Sequence, residues 1–148
     1  MEKEKVFFDM DGVLCNYKKA YNKALLENSR QKYPQSKWGF FLELEEMPDS
    51  ISAFNIIKTK FDVYILTRPS FKNVNSFTEK AQWIWNHLGY DVLENTIMSG
   101  DKSLIKGDYL IDDMTGDGQE NFEGEFLQFG SDRFPDWKSI LMYLMNKK

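Results

Sequence analysis

Apolar and polar residues alternate in blocks along the chain, and these blocks predict a regular succession of strands and helices. Short runs rich in β-branched and aromatic residues predict five strands, at residues 6–8, 61–66, 92–98, 109–111 and 125–129. Other segments carry apolar residues every three or four positions, as one face of a helix does. Alternating strands and helices are typical of an α/β fold, with a parallel sheet and helices on both faces.

The third predicted helix has the clearest local signals. Ser76 and Glu79 have the spacing of a capping box, and Gly89 predicts where the helix ends. Two further helices are predicted to begin near residues 48–50 and 135–136, where a proline precedes an aspartate. The predicted apolar face of the third helix contains Phe77, Ala81, Ile84, Trp85 and Leu88.

Length and composition predict a single domain that spans residues 1–148. A chain of 148 residues, 42% hydrophobic and 16% aromatic, is large enough to bury one substantial core. The net charge of -4 and the pI near 5.1 argue against long nucleic acid as a partner, because binding its backbone requires clustered lysine and arginine.

The cysteine content and the first residues indicate where the protein works. Cys15 is the only cysteine, and one free thiol suits a reducing compartment. Residues 1–5 are too charged to begin a signal peptide, and no apolar stretch reaches membrane-spanning length. We therefore expect a cytoplasmic protein without a membrane partner.

Two pairs of acidic residues follow predicted strands. Asp9 and Asp11 come directly after the first strand, and Asp112 and Asp113 come after the fourth. Ligands bind at the carboxyl ends of the strands in open α/β sheets. Carboxylates this close repel one another unless a cation or a proton lies between them. Oxygen ligands of this kind suit Mg²⁺, which commonly shares its ligand shell with a substrate phosphate.

Two simpler interpretations of the acidic stretches fit less well. A surface turn is the commoner explanation of an isolated Asp-x-Asp-Gly, but here apolar residues on both sides bury the turn. A calcium loop from Asp9 fails because its fifth position is Val13. One from Asp113 fails because its twelfth position is Gly124 instead of glutamate.

The polar residues at the strand ends occur in the order of the four motifs of the haloacid dehalogenase-like phosphohydrolases. These residues are Asp9 with Asp11, then Thr67, then Lys102, then Asp112 with Asp113. Residues 9–14, 39–44, 101–103, 110–113 and 136–141 more closely resemble the 5'(3')-deoxyribonucleotidases. The resemblance implies a Rossmann-like sheet in the order 3-2-1-4-5. It also implies a small helical cap inserted after the first strand, within residues 15–47.

The resemblance assigns chemical roles to the acidic residues. Asp9 would attack phosphorus and become an aspartyl phosphate, and Asp11 would act first as acid and then as base. Mg²⁺ would be bound by the Asp9 carboxylate, the Asp11 backbone carbonyl and Asp112. Asp113 would support these ligands without binding the metal itself.

The resemblance also assigns the residues that hold the phosphoryl group. Thr67 and Lys102 would contact its oxygens, and Lys106 is the competing lysine, further from the strand end. Arg68 stands where the best-known members carry a small hydroxyl residue. This arginine either strengthens phosphate binding or changes which substrate fits.

Tyr17 and Phe41 match cap positions that contact the nucleoside in the resembled enzymes, and ordinary packing of cap against core is the alternative. The predicted function is Mg²⁺-dependent hydrolysis of (deoxy)ribonucleoside monophosphates. The alternatives are a phosphatase for another small phosphorylated metabolite, a phosphomutase or phosphonatase, and a non-catalytic nucleotide-binding relative. The sequence leaves the oligomeric state open, a homodimer included.

Overall fold

The structure, a computed structural model that describes residues 1–148, contains one parallel sheet of five strands. The strands lie side by side in the order β3-β2-β1-β4-β5, which confirms the 3-2-1-4-5 order. Phe8 at the end of the central strand pairs with both Ile65 and Ile111, so the neighbouring strands end at the same edge. The strands are β1 Lys5–Phe8, β2 Asp62–Thr67, β3 Thr96–Met98, β4 Tyr109–Asp112 and β5 Glu125–Gln128.

Four α-helices and three single turns of 3₁₀ helix lie in the connections between strands, and a fifth α-helix follows β5. None of the helices combines the length and the apolar character that crossing a membrane requires. The α-helices are α1 Tyr17–Glu27, α2 Ser50–Lys60, α3 Ser76–Leu88, α4 Tyr90–Glu94 and α5 Trp137–Met145. The 3₁₀ turns are Pro34–Ser36, Lys102–Leu104 and Gln119–Asn121.

The two faces of the sheet are covered differently. On one face, Val6 and Phe8 belong to a large core that includes buried residues of α2, α3, α4 and α5. On the other face, Phe7 packs in a small cluster with Leu110 and Phe122, beneath connections that contain only 3₁₀ turns. The α-helices therefore cover one face, and the second face, which the sequence predicts to carry helices as well, is covered by connections with only 3₁₀ turns.

The predicted capping box of α3 is wrong. The helix begins after Asn75, whose side chain makes no capping bond. Glu79 instead accepts hydrogen bonds from the Gly39 N–H and from Asn73 Nδ2, and Ser76 Oγ donates to the Ser70 carbonyl. These groups are buried under residues 34–41, so tertiary partners take the side chains that a surface helix would use for capping.

The predicted apolar face of α3 is also shifted. Phe77 and Trp85 are exposed, and the buried residues of the helix are Ser76, Glu79, Lys80, Trp83 and Ile84. The first half of this face packs against polar groups, so burial there does not follow hydrophobicity.

The third strand is shorter than predicted, because only Thr96–Met98 pair with β2. The apolar residues Val92 and Leu93, assigned to this strand from the sequence, lie in α4. Gly89, with a φ of 103°, ends α3 and redirects the chain into this short helix. Short apolar runs do not distinguish a strand from a buried helical turn.

Candidate active site

The carboxyl ends of β1, β2 and β4 bring polar side chains to one edge of the sheet. Asp9 follows β1, and its backbone N–H donates to the carbonyl of Ile111 across 2.9 Å. Thr67 and Asp112 are the last residues of β2 and β4, and both are fully buried. Asp9 and Asp112 line a pocket of about 390 Å³. The strand-end residues named from the sequence therefore lie together.

A tight turn after β1 brings the two acidic pairs close to each other. The N–H groups of residues 13–15 all donate to the Met10 carbonyl. Gly12 has a φ of 82°, and a Cβ atom there would lie 2.1 Å from Asp113 Oδ2. Only glycine allows the turn to approach the second acidic pair this closely.

Lys102 is the buried counter-charge between these carboxylates. Its Nζ atom lies 2.8 Å from Asp9 Oδ1 and also donates to Asp112 Oδ2. The Lys102 side chain is 2% exposed. Lys106, the competing lysine, is 79% exposed and pairs with Glu123 at the surface. Of the two lysines, the structure thus brings only Lys102 into the site.

Burial and neighbouring charges shift the protonation of this group. Burial raises the pKa of Asp9 well above its usual range, and repulsion by Asp112 and Asp11 raises it further, with Lys102 partly offsetting both. Burial and Asp112 raise the pKa of Asp113 to about 6. Burial lowers the pKa of Lys102, but Asp9 and Asp112 raise it more, so this lysine keeps its charge.

The sequence analysis missed Lys80, a second lysine in the site. Its side chain is completely buried, and Nζ donates to Asp11 Oδ2 across 2.8 Å and to Thr67 Oγ1 across 2.9 Å. Lys80 lies on α3 one turn before Trp83 and Ile84, on the same buried face. This spacing is the signal that would have identified it, since a lysine in line with core residues needs a buried partner.

Gln119 is a second residue that the sequence analysis missed. It is 1% exposed, and its Nε2 atom donates to Asp112 Oδ2 across 3.2 Å. It lies in the short 3₁₀ turn Gln119–Asn121, inside an acidic loop whose composition indicates solvent exposure. Nothing in the local sequence signals its burial.

The acidic residues are suitable ligands for a divalent cation. Each of Asp9, Asp112 and Asp113 offers a carboxylate oxygen, and these oxygens lie within 4.8 Å of one another. One oxygen of Asp113 is buried without a hydrogen-bond partner. All-oxygen donors and surplus negative charge fit Mg²⁺. The structure brings the carboxylate of Asp113 into this cluster, whereas the Asp11 carboxylate pairs with Lys80.

Aromatic residues form the upper part of the pocket. Tyr17 and Phe41 both line it, with their ring centroids 6.2 Å apart. Phe41 is 2% exposed and also contacts Phe40 edge-on. Burial raises the pKa of the Tyr17 hydroxyl to about 12, and Asp11 adds to the effect. These rings therefore pack on one another and border the pocket at the same time.

Arg68 lies on the rim of the pocket and is bound by neighbouring loops. Its Nη1 atom lies 2.6 Å from Asp117 Oδ1 and 3.2 Å from the Gly100 carbonyl. The guanidinium also stacks over Phe71, at 5.2 Å from the ring centroid. The arginine thus joins the loop after β2 to the acidic loop after β4.

A larger cleft, of about 600 Å³, opens between α1 and residues 34–45. It contains none of the strand-end residues, and its lining combines lysines with glutamates, among them the surface pair Lys19 and Glu45. The smaller pocket is the candidate active site because it holds the buried charges.

Comparisons with known proteins agree on one family. A family model described as "5' nucleotidase, deoxy (Pyrimidine), cytosolic type C protein" matches residues 26–134. A protein of Vibrio phage KVP40, described as "Putative 5'(3')-deoxyribonucleotidase", is 34% identical over 149 residues. That match covers 99% of this chain and 87% of the phage protein. The human 5'(3')-deoxyribonucleotidase, cytosolic type, is 36% identical over 106 residues, which are 70% of this chain and 47% of the human protein.

Two solved structures share the fold. The class C acid phosphatase from Bacillus anthracis has a TM-score of 0.64 at 16% identity, covering all of this chain and 75% of the phosphatase chain. A haloacid dehalogenase-like hydrolase from Burkholderia xenovorans LB400 has a TM-score of 0.54 at 12% identity, covering 95% of this chain and 88% of its own. These likenesses identify the fold as haloacid dehalogenase-like.

Proposed function

The chain belongs to the 5'(3')-deoxyribonucleotidase family, and on that premise we propose that it hydrolyses nucleoside monophosphates with Mg²⁺ as cofactor. The observation that carries the proposal is the pairing of each aspartate of the first motif with its own buried lysine. Asp9 pairs with Lys102, and Asp11 pairs with Lys80. Two fixed positive charges beside two carboxylates at one strand end suit the transfer of a phosphoryl group.

In the first step Asp9 attacks phosphorus, and the bond from phosphorus to the ester oxygen breaks. Asp11 gives its proton to the departing oxygen, and the product of this step is an aspartyl phosphate on Asp9. Lys102 and Lys80 lie beside the reacting carboxylates, and Thr67 accepts a hydrogen bond from Lys80. Lys102 contacts the transferring oxygens and neutralises their charge, Thr67 donates its hydroxyl hydrogen to them, and Lys80 positions Asp11 and Thr67.

In the second step water attacks phosphorus and releases Asp9 and inorganic phosphate. Asp11, now ionised, accepts the proton of that water. Lys80 Nζ donates to Asp11 Oδ2 across 2.8 Å and fixes the orientation of the carboxylate. Asp11 can therefore give and then accept a proton without a change of rotamer.

Asp9, Asp112 and the backbone carbonyl of Asp11 would bind Mg²⁺, and Asp113 would contact the waters that the ion retains. The ion supplies charge neutralisation at the phosphoryl oxygens and at the crowded carboxylates. The cluster fits this role because burial and repulsion by neighbouring carboxylates raise the pKa of Asp9 and the pKa of Asp113, and a bound cation would offset that repulsion.

We infer that residues 15–47 act as a small cap over this site. They lie between the turn after β1 and the start of α2, and they supply Tyr17 and Phe41 to the pocket. A pocket of about 390 Å³ is in the size range of small-molecule sites. A nucleoside monophosphate places its phosphate on the carboxyl edge of the sheet and its base against these rings.

Phosphate release from a panel of compounds tests the proposal. The panel contains nucleoside monophosphates, 2-deoxyribose 5-phosphate and an aryl phosphate, each assayed with Mg²⁺ and with excess EDTA. We expect release from nucleotides only when Mg²⁺ is present. Undiminished turnover in EDTA would rule out the metal-dependent mechanism, and turnover confined to sugar phosphates would rule out the substrate class.

A further inference from the structure

Unpaired buried polar atoms are concentrated at the candidate active site. Four buried side-chain atoms in the molecule lack a hydrogen-bond partner: Asp11 Oδ1, Gln35 Oε1, Asp113 Oδ1 and Trp137 Nε1. The first three belong to residues that line the pocket of Asp9. Buried polar atoms in native structures are nearly always paired, so an unpaired one on a residue that lines a pocket indicates a group that pairs with a ligand.

The proposed chemistry accounts for two of these three atoms. Asp11 exchanges a proton with the substrate, and Asp113 belongs to the group of carboxylates that would bind the metal ion. Gln35 takes part in neither step. Its Oε1 atom accepts hydrogen bonds and cannot donate them, so phosphate oxygens, which also accept, are unsuitable partners. The missing partner is therefore an N–H or O–H group on another part of the substrate.

The backbone of Gln35 is held firmly in place. It is the second residue of the 3₁₀ turn Pro34–Ser36, and its carbonyl accepts a hydrogen bond from Asn73 Nδ2 across 3.1 Å. The same Nδ2 atom donates to Glu79 across 3.3 Å, and Glu79 accepts from the Gly39 N–H. These bonds connect the turn to α3, next to Lys80. A side chain on such a support keeps its position relative to the reacting groups.

The neighbours of Gln35 in the pocket indicate which part of the substrate it meets. Tyr17 and Phe41 line the same pocket, and aromatic rings of this kind stack on a flat heterocycle. A carboxamide beside a stacked heterocycle can accept from a ring or amino N–H and donate to the adjacent acceptor. Sugar hydroxyls are the other available donors. Unlike the N–H groups of a base, they are also present on a sugar phosphate that has no base.

We propose that Gln35 is a specificity-determining residue that hydrogen-bonds to the edge of the substrate base. The proposal rests on the nucleotidase function proposed above and deepens it. The base provides an N–H donor to Oε1, and Nε2 donates to the neighbouring acceptor on the base. A site built around such a bond discriminates against substrates that lack the base, because the carboxamide then stays unpaired.

Substitution of Gln35 by leucine tests the proposal, since leucine has a similar size and no polar atoms. We expect Gln35→Leu to lower kcat/KM for a nucleoside monophosphate by about tenfold, the effect of losing one well-placed hydrogen bond. The kcat/KM values for 2-deoxyribose 5-phosphate and for an aryl phosphate stay within about twofold of the unmodified protein. Gln31→Leu is the matched control, because Gln31 lines the other cleft and should leave all three values unchanged.

Each other outcome overturns the proposal. An equal loss on the nucleotide and on 2-deoxyribose 5-phosphate would show that Gln35 contacts the sugar. An equal loss on all three substrates would show a structural role, and no loss on any would show that the carboxamide meets no substrate.

Equilibrium binding to the Asp9→Asn variant separates this proposal from the proposed function. In that background, adding Gln35→Leu should weaken binding of the nucleotide by about tenfold but not that of 2-deoxyribose 5-phosphate. This measurement needs no turnover. If the unmodified protein released phosphate from no substrate, the hydrolase proposal would fail while binding still reported on Gln35. If the unmodified protein is active but Gln35→Leu leaves the nucleotide affinity of the Asp9→Asn variant unchanged, only the role of Gln35 is overturned.

Discussion

The bottom of the pocket and its side are stabilised by different interactions. The charged floor consists of Asp9, Asp11, Lys102 and Asp112, which line the pocket, together with Lys80, which is completely buried and pairs with Asp11. The recognition wall consists of Tyr17, Gln35 and Phe41, which come from residues 15–47 and border the pocket through packing and one unpaired carboxamide.

From this difference we expect that chemistry and specificity can be changed separately. The sheet sets the positions of Asp9 and Asp112, because strands in register end at one edge. Ion pairs join Lys102 to these carboxylates and Lys80 to Asp11. Removing one partner of a buried ion pair leaves an uncompensated charge and typically destabilises a protein by about 3–5 kcal/mol. The wall carries no net charge, so its residues can change without that penalty. We therefore expect floor substitutions to affect every substrate, and wall substitutions to affect only substrates with a base.

The largest effect is expected for Asp9→Asn, which removes the proposed nucleophile. We expect kcat to fall by more than about a thousandfold on every substrate, because amides do not form the phosphorylated intermediate. Circular dichroism should show an intact fold. Asp132→Asn, at an exposed position, is the control and should keep its activity. Near-normal turnover by Asp9→Asn would show that Asp9 has only a structural role.

Lys102→Ala should show the next largest effect. The substitution leaves Asp9 and Asp112 without their shared counter-charge, so we expect kcat to fall by more than about a hundredfold on nucleotide and aryl phosphates alike. Lys106→Ala removes only a surface pair and should stay within about twofold. The reverse ranking of the two variants would show that the wrong lysine is assigned to the site.

Lys80→Ala tests the lysine that the sequence analysis missed. The substitution removes the hydrogen-bond donor to Asp11 and Thr67. We expect kcat to fall by about a hundredfold on nucleotide and aryl phosphates alike. A thermal melt distinguishes misfolding from misplacement of Asp11. Lys72→Ala, on the loop before α3, should retain activity. If Lys80→Ala impaired only nucleotide turnover, Lys80 would belong to the wall.

The floor could be predicted from the sequence where it depends on strands. One buried strand leads into Asp9 and Asp11, and a second ends in Asp112. Once the sheet is predicted to be parallel, these residues are expected at the same edge of it. Lys80 and Gln119 could not be found this way. Lys80 is indicated only by its spacing from the buried residues Trp83 and Ile84, and no local pattern predicts the hydrogen bond from Gln119 to Asp112.

The shifted face of α3 and the shortened third strand have related causes. Phe77 and Trp85 satisfied the expected period, yet the packing of α3 against residues 34–41 buried Glu79 and Lys80 instead. Val92 and Leu93 satisfied the pattern of a strand as well as that of a helical turn. In both cases tertiary contacts decided between alternatives that the local pattern left equal.

A smaller effect is expected from the aromatic residues of the wall. Tyr17→Leu or Phe41→Leu should lower kcat/KM for a nucleotide by about tenfold, since losing 1.4 kcal/mol of stacking corresponds to that factor. An aryl phosphate reports on the floor without base recognition, so its kcat/KM should barely change. Equal losses on both substrates would show that these rings support only the fold.

The smallest effect concerns the pH dependence of the proposed metal binding at Asp9, Asp112 and Asp113. The pKa of Asp113 is raised to about 6 by burial and by Asp112, so its carboxyl is mostly protonated at a pH of about 5 and ionised at about 7.5. A carboxyl whose folded-state pKa is raised favours the folded state at low pH. Without metal, the contribution of Asp113 to the free energy of unfolding therefore declines as pH rises from about 4 to about 6.

Mg²⁺ should reverse this decline, because it binds the ionised carboxylates. We expect millimolar Mg²⁺ to raise the melting temperature by a few degrees at a pH of about 7.5 and by much less at about 5. In Asp113→Asn the pH dependence of this shift should shrink, because the carboxyl that titrates in this range is gone. Exposed Asp132→Asn should behave as the unmodified protein. An equal Mg²⁺-induced shift at both pH values would show that the ion binds away from this cluster, and the charged floor would then rely on its two lysines alone.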